Sequence, residues 1–516
     1  MTVVAPGRVC VVVGRTRHKM MQAELAEAAK RGHTFVEVRL DFLAKAVDFK
    51  RLLSSKACPW MATLRRPQDG GRWAGSEVER LTLLRQAIVS GAFDWVDLET
   101  DIAGIVPRFG PVRRVVSYHN VKETPDNLAG IYADMLRQDG DIYKVAVFAN
   151  TPADCARVLE IQRAAPKPTV AFCIGDIGLP TRFTALKYGA PWTYAAFNRE
   201  RGVAPGLPSV DELRTTYPVG RIDADTKIYG LLGDPVAHSY SPVLHNHMLG
   251  RLGGNAIYLP FRVPAGKLKE AVDTFADVPV SGYSVTIPHK EAALALAAEA
   301  DPAATACGAA NTLVRRPDGT FAASNSDHSA ATASLAAHFA ADAGGGPGRE
   351  LSKLFVLVVG GGGAARAVAH ALHAAGAAVT VSARNGDQAA KVAADVGCKV
   401  TDWQARHNVL PCDVLVNCTS VGMSPDTDQM PVHVSFLTPS LTVFDTVYTP
   451  ENTLLIREAR ARGCPVVTGV DMFVRQAARQ LELFTGKTPP IEAMRDLLRK
   501  AMSPLTRALD DEDADG

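Results

Sequence analysis

Eight short β-rich runs alternate with helical stretches through the first 200 residues, and few folds accept that rhythm. The runs are Val9–Gly14, Phe35–Leu40, Trp60–Leu64, Trp95–Glu99, Arg114–His119, Ile142–Phe148, Thr169–Ile174 and Trp192–Phe197. Between them Met20–Arg31, Ser76–Ser90, Asn127–Asp139 and Pro152–Ala165 carry apolar residues at helical spacing. A strand-helix unit repeated in this way predicts a (β/α)8 barrel in an α/β chain. The span is slightly short for that fold, so compact helices and loops are expected.

At 516 residues the chain exceeds one hydrophobic core, and two or three domains are expected. Tyr217 to Thr226 reads as a polar linker. Ile228–Gly233 then restarts an α/β pattern that runs to about Ser334. Ala336 to Gly348 reads as a helix end and a flexible loop. Next, Phe355–Ala367 reads as a buried parallel strand, a tight glycine turn and a helix start. Asp510 to Gly516 is acidic and expected to be disordered. The expected domains are 1–218, 226–334 with a final helix 490–503 returning to it, and 350–489, before a tail 504–516.

The formal net charge of +2 gives no reason to expect nucleic acid or an anionic membrane as a partner. Nine cysteines with no Cys-x-x-Cys pair argue against a disulfide framework or structural zinc, and fit a reducing cytoplasm. No apolar run of about 18 residues suggests a membrane span. His238, His245 and His247 invite a metal, but His245 and His247 suit a polar helix face near Pro242, and no metal is expected.

Polar residues gather on the predicted barrel strands. Glu37 and Arg39 lie on the second, Arg65 follows the third, His119 ends the fifth and Lys144 lies on the sixth. Residues near the carboxyl ends of such strands face the catalytic mouth. Arg39, Arg65 and Arg182 with one lysine imply an anionic, oxygenated substrate. A neutral lysine amine can condense with a ketone, and burial beside arginines favours the neutral form. His119 suits proton transfer. The competing readings are a strand-end lysine that reaches solvent and a structural histidine.

This half resembles a type I 3-dehydroquinate dehydratase over roughly residues 8 to 217. The matching pieces are Glu37-Val38-Arg39-Leu40-Asp41, Thr63-Leu64-Arg65 before Gly70-Gly71, Ser117-Tyr118-His119 with Thr124-Pro125, and Asp141–Ala146. Arg182 and Ala204-Pro205-Gly206 follow in order. The resemblance implies a Schiff base on Lys144, a proton-shuttling His119, and substrate binding by Glu37, Arg39, Arg65 and Arg182. One stretch departs. The family pattern usually reads Ser-Ala-Pro-Gly-Gln, with Ser and Gln holding the substrate carboxylate. Here it is Val203-Ala204-Pro205-Gly206-Leu207. Weaker substrate binding is expected, or rescue by Arg201, Asn198 or Ser209; Leu207→Gln should then lower KM.

In the second half, Gly360-x-Gly362-x-x-Ala365 lies between a strand and the expected helix Ala364–Ala374. This is a dinucleotide fingerprint, and its competing reading is a flexible glycine loop. Arg384 stands near where an NAD site would place an acid, which favours a 2′-phosphate and NADP; an ordinary surface arginine is the alternative. Ser239 and Ser241 can point to one face of an extended segment. Lys290 beside Asp327 can relay a proton as hydride moves; the competing reading of Lys290 is a solvent-exposed residue at a helix start.

Residues 228 to about 503 resemble shikimate dehydrogenase. The signature is Ser239-Tyr240-Ser241-Pro242, Val285–Lys290, Gly308–Thr312, Asn325-Ser326-Asp327, Asn417–Met423, Asp445–Tyr448 and Gly469 through Gln476. The likeness implies a catalytic pair Lys290 and Asp327. It implies substrate binding by Ser239, Ser241, Thr286, Asn311, Tyr448 and Gln476. It implies NADP binding by Gly360, Gly361, Gly362, Gly363, Ala364, Arg384, Thr446 and Gly469. Ser284 replaces a usual Asn, and Ala383-Arg384-Asn385 a usual Asn-Arg-Thr.

Together the resemblances imply a barrel that dehydrates 3-dehydroquinate to 3-dehydroshikimate, followed by a two-domain unit that reduces it to shikimate with NADPH. Only small-molecule partners are expected, in a cytoplasmic monomer or homodimer. The rivals are a quinate or shikimate dehydrogenase of relaxed specificity fused to a catabolic barrel, and a binding protein that lost catalysis.

Overall fold

Eight parallel strands form the first sheet: β1 (Val9–Val13), β2 (Val36–Arg39), β3 (Trp60–Thr63), β4 (Trp95–Glu99), β5 (Arg113–Asn120), β6 (Ile142–Phe148), β7 (Thr169–Ile174) and β8 (Thr193–Ala196). The computed structural model describes residues 7–54, 56–237, 239–276, 278–340 and 349–503. The expected tail, His238 and residues 341–348 of the expected loop lie outside them. The ladder order is β7-β6-β5-β4-β3-β2-β1-β8, a nearly closed barrel. Among the described residues no ladder joins β7 to β8. The rings of Phe172 and Tyr194, 5.7 Å apart, pack across that seam.

Strand alternation decides what fills the barrel. Phe35, Trp95 and Trp192 meet edge to face, with centroids 5.0 to 6.1 Å apart, and plug one end. Two residues on in each strand, the same parity turns Glu37, Asp97 and Tyr194 inward. Lys144 is in register with Ser117 of β5 and Val170 of β7. The helix Glu77–Val89 starts at a capping box between Ser76 and Glu79. The expected linker is not a loose one: Tyr217, Val219 and Ile222 are buried. Tyr217 lies on Phe183 with centroids 4.5 Å apart. Its apolar members outweigh its polar ones.

The chain divides into two compact units, one reaching Tyr229 and including Asn255–Val280, the other formed by Gly230–Gly254 and Ser281 onward. In the first, β10 (Ala256–Arg262) brings Arg262 to 3.5 Å from Asp176. The second carries the larger part of β9 (Lys227–Gly233) and of β11 (Val280–Val285), with β13 (Thr312–Arg315), β14 (Phe321–Ser324) and β12 (Glu299–Ala300), neighbours in that order.

A further parallel sheet has β15 (Phe355–Val359), β16 (Ala378–Ser382), β17 (Lys399–Val400), β18 (Val414–Asn417), β19 (Thr442–Asp445) and β20 (Val466–Val467). Its order is β17-β16-β15-β18-β19-β20, the 3-2-1-4-5-6 order of a doubly wound dinucleotide fold. Such sheets take ligands where the order reverses, here beyond the ends of β15 and β18. Helix Ile491–Met502 buries Met494 and Leu498 and packs on helices Ser241–Arg251 and Gly469–Thr485. Among the described residues no helix is long and apolar enough to cross a membrane.

Candidate active sites

Lys144 is the third residue of β6, not its last, and only 4% exposed. The solvent-reaching reading of this lysine is therefore excluded. Its Nζ lies 3.2 Å from Asp97 Oδ2 and 4.2 Å from the centroid of Tyr194. Asp97 also accepts from Arg65 at 2.7 Å and from Ser117 Oγ at 2.5 Å. Burial alone would raise the Asp97 carboxyl, but the charges of Arg65 and Lys144 outweigh it and hold the group below the usual carboxylate range. Burial, then the charges of Arg65 and Lys144, push His119 well below its ordinary value. Its imidazole is neutral at pH 7, and Nδ1 is buried with no partner among the described residues.

The arginines are not equivalent. Arg39 is clamped by Asp41 at 2.8 and 2.9 Å. Arg65 spends donors on Asp97, Ser117 and Glu99, the last at 2.9 Å. Glu99 is shared with Arg80 at 2.7 Å. Three arginines and a lysine therefore do not make a purely cationic mouth, because Asp41, Asp97 and Glu99 neutralise most of it. Arg182 is the exception. It is buried over the ring of Phe172, 4.3 Å from its centroid, and has no hydrogen-bond or ion-pair partner among the described residues. Burial lowers it to about 10, so it stays a cation and lacks an anion. Glu37 is buried and faces the same interior, with no side-chain hydrogen bond or ion pair among the described residues.

Sequence reasoning missed Asp97 and Glu99. The signal was there: two acids two apart in an otherwise apolar strand, Trp95-Val96-Asp97-Leu98-Glu99, share the parity of inward Trp95. The departing stretch is as apolar as it reads, for Val203 and Leu207 pack against the barrel core.

In the second unit Lys290 opens helix Lys290–Leu296 and Asp327 lies in the first turn of helix Ser326–Ala340. Their side chains meet at 2.6 Å and stay partly open. A Cβ on Gly363 would come within 4.0 Å of Lys290 Cδ, so the ion pair borders the glycine turn. Gly360 has φ +140°, and a Cβ there would meet the Cys418 carbonyl at 2.8 Å. Only glycine fits that crossing. Gly361 lies against Gln388, Gly362 caps helix Gly363–Ala374, and Ala364 is in its first turn. The open N-terminus of this helix can hold a pyrophosphate. Arg384 is exposed and unpaired among the described residues, while Asn385 caps the next helix through Gln388 N. These groups fit a dinucleotide with a 2′-phosphate.

Thr446 hangs from the Asn417 carbonyl at 2.8 Å, and Gly469 lies so close to the Val447 carbonyl, at 2.2 Å from a built Cβ, that no side chain fits. Burial raises Tyr448 to about 12, and its ring lies 4.4 Å from Phe473. Gln476 is half-buried and Thr286 follows β11. Ser239 and Ser241 do not share an extended segment. Tyr240 is helical at φ −80° and ψ −3°, and Ser239 Oγ accepts from Ser241 N at 3.2 Å. His245 is not on a polar face either. It is fully buried, with Nδ1 2.9 Å from the Ser241 carbonyl, and burial lowers it to about 4.

A third missed residue is Gln480. Its amide accepts from Ser284 Oγ at 2.8 Å and donates to the Asn311 carbonyl at 3.0 Å and Thr312 Oγ1 at 3.2 Å. Asn311 in turn donates to Ser326 Oγ at 2.9 Å, next to Asp327. The substitution of Ser at position 284 was the available hint, since a shorter side chain needs a longer partner.

Comparison with known proteins follows the same division. Residues 9–223 match the family model for type I 3-dehydroquinase. Residues 231–313 match the shikimate dehydrogenase substrate binding domain, and 469–499 the shikimate 5′-dehydrogenase C-terminal domain. The chloroplastic bifunctional 3-dehydroquinate dehydratase/shikimate dehydrogenase of Arabidopsis thaliana is 34% identical over 515 residues, covering 96% of this chain and 85% of that one. The NADP(+) shikimate dehydrogenase of Methanosarcina mazei is 38% identical over 285 residues, 54% of this chain and 99% of its own. A crystal structure of a shikimate dehydrogenase in complex with NADP+ aligns with a TM-score of 0.50 at 29% identity, over 54% of this chain and 97% of that one. The chain belongs to the family of bifunctional 3-dehydroquinate dehydratase/shikimate dehydrogenases.

Proposed function

We propose that the chain carries out two consecutive steps of the shikimate pathway, dehydration of 3-dehydroquinate to 3-dehydroshikimate and reduction of that product to shikimate with NADPH. The observation that carries this reading is the pair of lysine sites: one sealed among charges in a barrel, one 2.6 Å from an aspartate beside a glycine turn. The quinate alternative is not needed.

In the barrel, Lys144 transfers its proton and its amine attacks the substrate ketone. The carbinolamine loses water to give an iminium, which accepts the electron pair released when the neighbouring C–H is deprotonated. The β-hydroxyl leaves with a proton as water, and hydrolysis of the imine frees Lys144. Neutral His119 handles these protons. Arg182 binds the substrate carboxylate, Glu37 and Arg39 line the ring, and Arg65 offers the donors its three bonds leave over.

In the second unit Ser239, Ser241, Thr286, Asn311, Tyr448 and Gln476 hold the substrate. Lys290 and Asp327 supply the proton to the oxygen of the reduced carbonyl. Gly360 to Ala364, Arg384, Thr446 and Gly469 hold the cofactor, which in its reduced form, NADPH, supplies the hydride. The proposed domains are 1–218 for the barrel, 226–334 with 490–503 for the substrate lobe and 350–489 for the nucleotide lobe. Nine free thiols fit a reducing compartment, and we assign the cytoplasm and a monomer or homodimer.

The test is borohydride reduction of the intact chain with 3-dehydroquinate, followed by peptide mapping. An adduct on Lys144, with NADPH-dependent reduction of 3-dehydroshikimate in the same preparation, is expected. Absence of the adduct from active protein refutes the imine.

A further inference from the structure

We infer that Asn198 is a substrate-binding residue of the barrel, giving the hydrogen bonds that Val203 and Leu207 do not offer; this rests on the dehydratase reading above. Asn198 is 6% exposed, and both its amide nitrogen and its amide oxygen are buried with no partner among the described residues. Native proteins rarely leave one such group unpaired, and an amide with neither end satisfied is costly. It is not alone. Thr63 Oγ1, His119 Nδ1 and Arg182 Nε are also buried and unpaired. Thr63 and His119 lie toward the carboxyl ends of their inward-facing strands, the end where barrel sites are built.

Alternation places Asn198 with them. Trp192 and Tyr194 point into the barrel core. The same parity carries through Ala196 to Asn198, whose backbone is extended at φ −147° and ψ 173°. Phe197, of opposite parity, lies under Arg31 at 5.3 Å on the outside. Of the other polar residues nearby, Ser209 is spent: its side chain caps helix Val210–Thr215 by accepting from Glu212 N at 3.2 Å. An amide both donates and accepts, so the partner it fits is a hydroxyl or carboxylate on a hydroxylated ring.

The orphaned amide makes the test selective. Removing a group that bonds only to a ligand should cost binding without costing stability. Asn198→Ala should raise KM for 3-dehydroquinate roughly tenfold, with thermal stability unchanged or higher and reductase activity intact. Asn198→Ser, which keeps one polar atom, should fall between. A lower melting temperature with unchanged KM, or an unchanged KM at any stability, overturns the assignment. Calorimetric binding of 3-dehydroquinate to Lys144→Ala with and without Asn198→Ala separates the two readings. If the intact chain forms no adduct yet binding still depends on Asn198, the imine reading fails and the Asn198 assignment stands.

Discussion

Lys144 meets its aspartate deep in a barrel, where Asp97 is shared with Arg65 and Ser117. Lys290 meets Asp327 where both side chains keep some solvent contact, and among the described residues neither has another ion-pair partner. On the proposed mechanism the first lysine changes covalent partners, and its surroundings hold charge in a fixed lattice that survives its turnover. The second, on that proposal, only relays a proton, for which one flexible pair is enough. A buried lattice is preorganised but fragile; an isolated pair is robust but leaves geometry to the elements that carry it.

The largest effect should come from splitting the two chemistries. Lys144→Met should lower dehydratase activity by roughly 10³-fold or more and leave reductase activity unchanged, while Asp327→Asn does the reverse by roughly 10²-fold. Parallel loss of both activities in either variant breaks the comparison. Next is stability. Asp97→Ala strands Lys144, leaves Arg65 with Glu99 as its only carboxylate, and should destabilise its unit by about 3–5 kcal/mol. Asp327→Ala in the open pair should cost about 1 kcal/mol or less by denaturant titration.

The barrel interior was legible because period-2 alternation is simple: each inward residue predicts the next. All eight strand candidates form, within one or two residues of the expected ends. What alternation does not reveal is which charge meets which. Arg65 reads as a ligand-binding cation until Asp97 and Glu99 are seen to pair with its charge, and those acids belong to a different strand. The glycine turn and Lys290 were legible for the same local reason. Ser239 and Ser241 were not, because a helical Tyr240 between them redirects the chain, and neither was Gln480, whose partners lie 168 to 196 residues away.

Smaller effects sharpen the open site. His245 titrates at 6.5 in an unfolded chain but at about 4 when buried. The unfolded chain therefore takes up the proton first as pH falls. Stability is complete above pH 6.5 and is lost toward pH 4, by about 3 kcal/mol at most. His245→Phe should flatten that slope in thermal melts that follow loss of reductase activity; an unchanged slope assigns it elsewhere. Gln480→Met should cost about 1–3 kcal/mol, the penalty for leaving the Asn311 carbonyl and its neighbours unpaired. It should also raise KM for shikimate more than KM for NADP. Equal changes in the two would reduce Gln480 to packing.

Helix Gly469–Thr485 begins at the tight crossing of Gly469, passes Gln476 two turns later and reaches Gln480 one turn beyond. A deletion of one residue within that stretch would rotate everything after it by about 100°. A substitution there disturbs one contact, whereas a change of length displaces every contact beyond it, so the length of this helix from Gly469 to Gln480 is itself a constraint on the site.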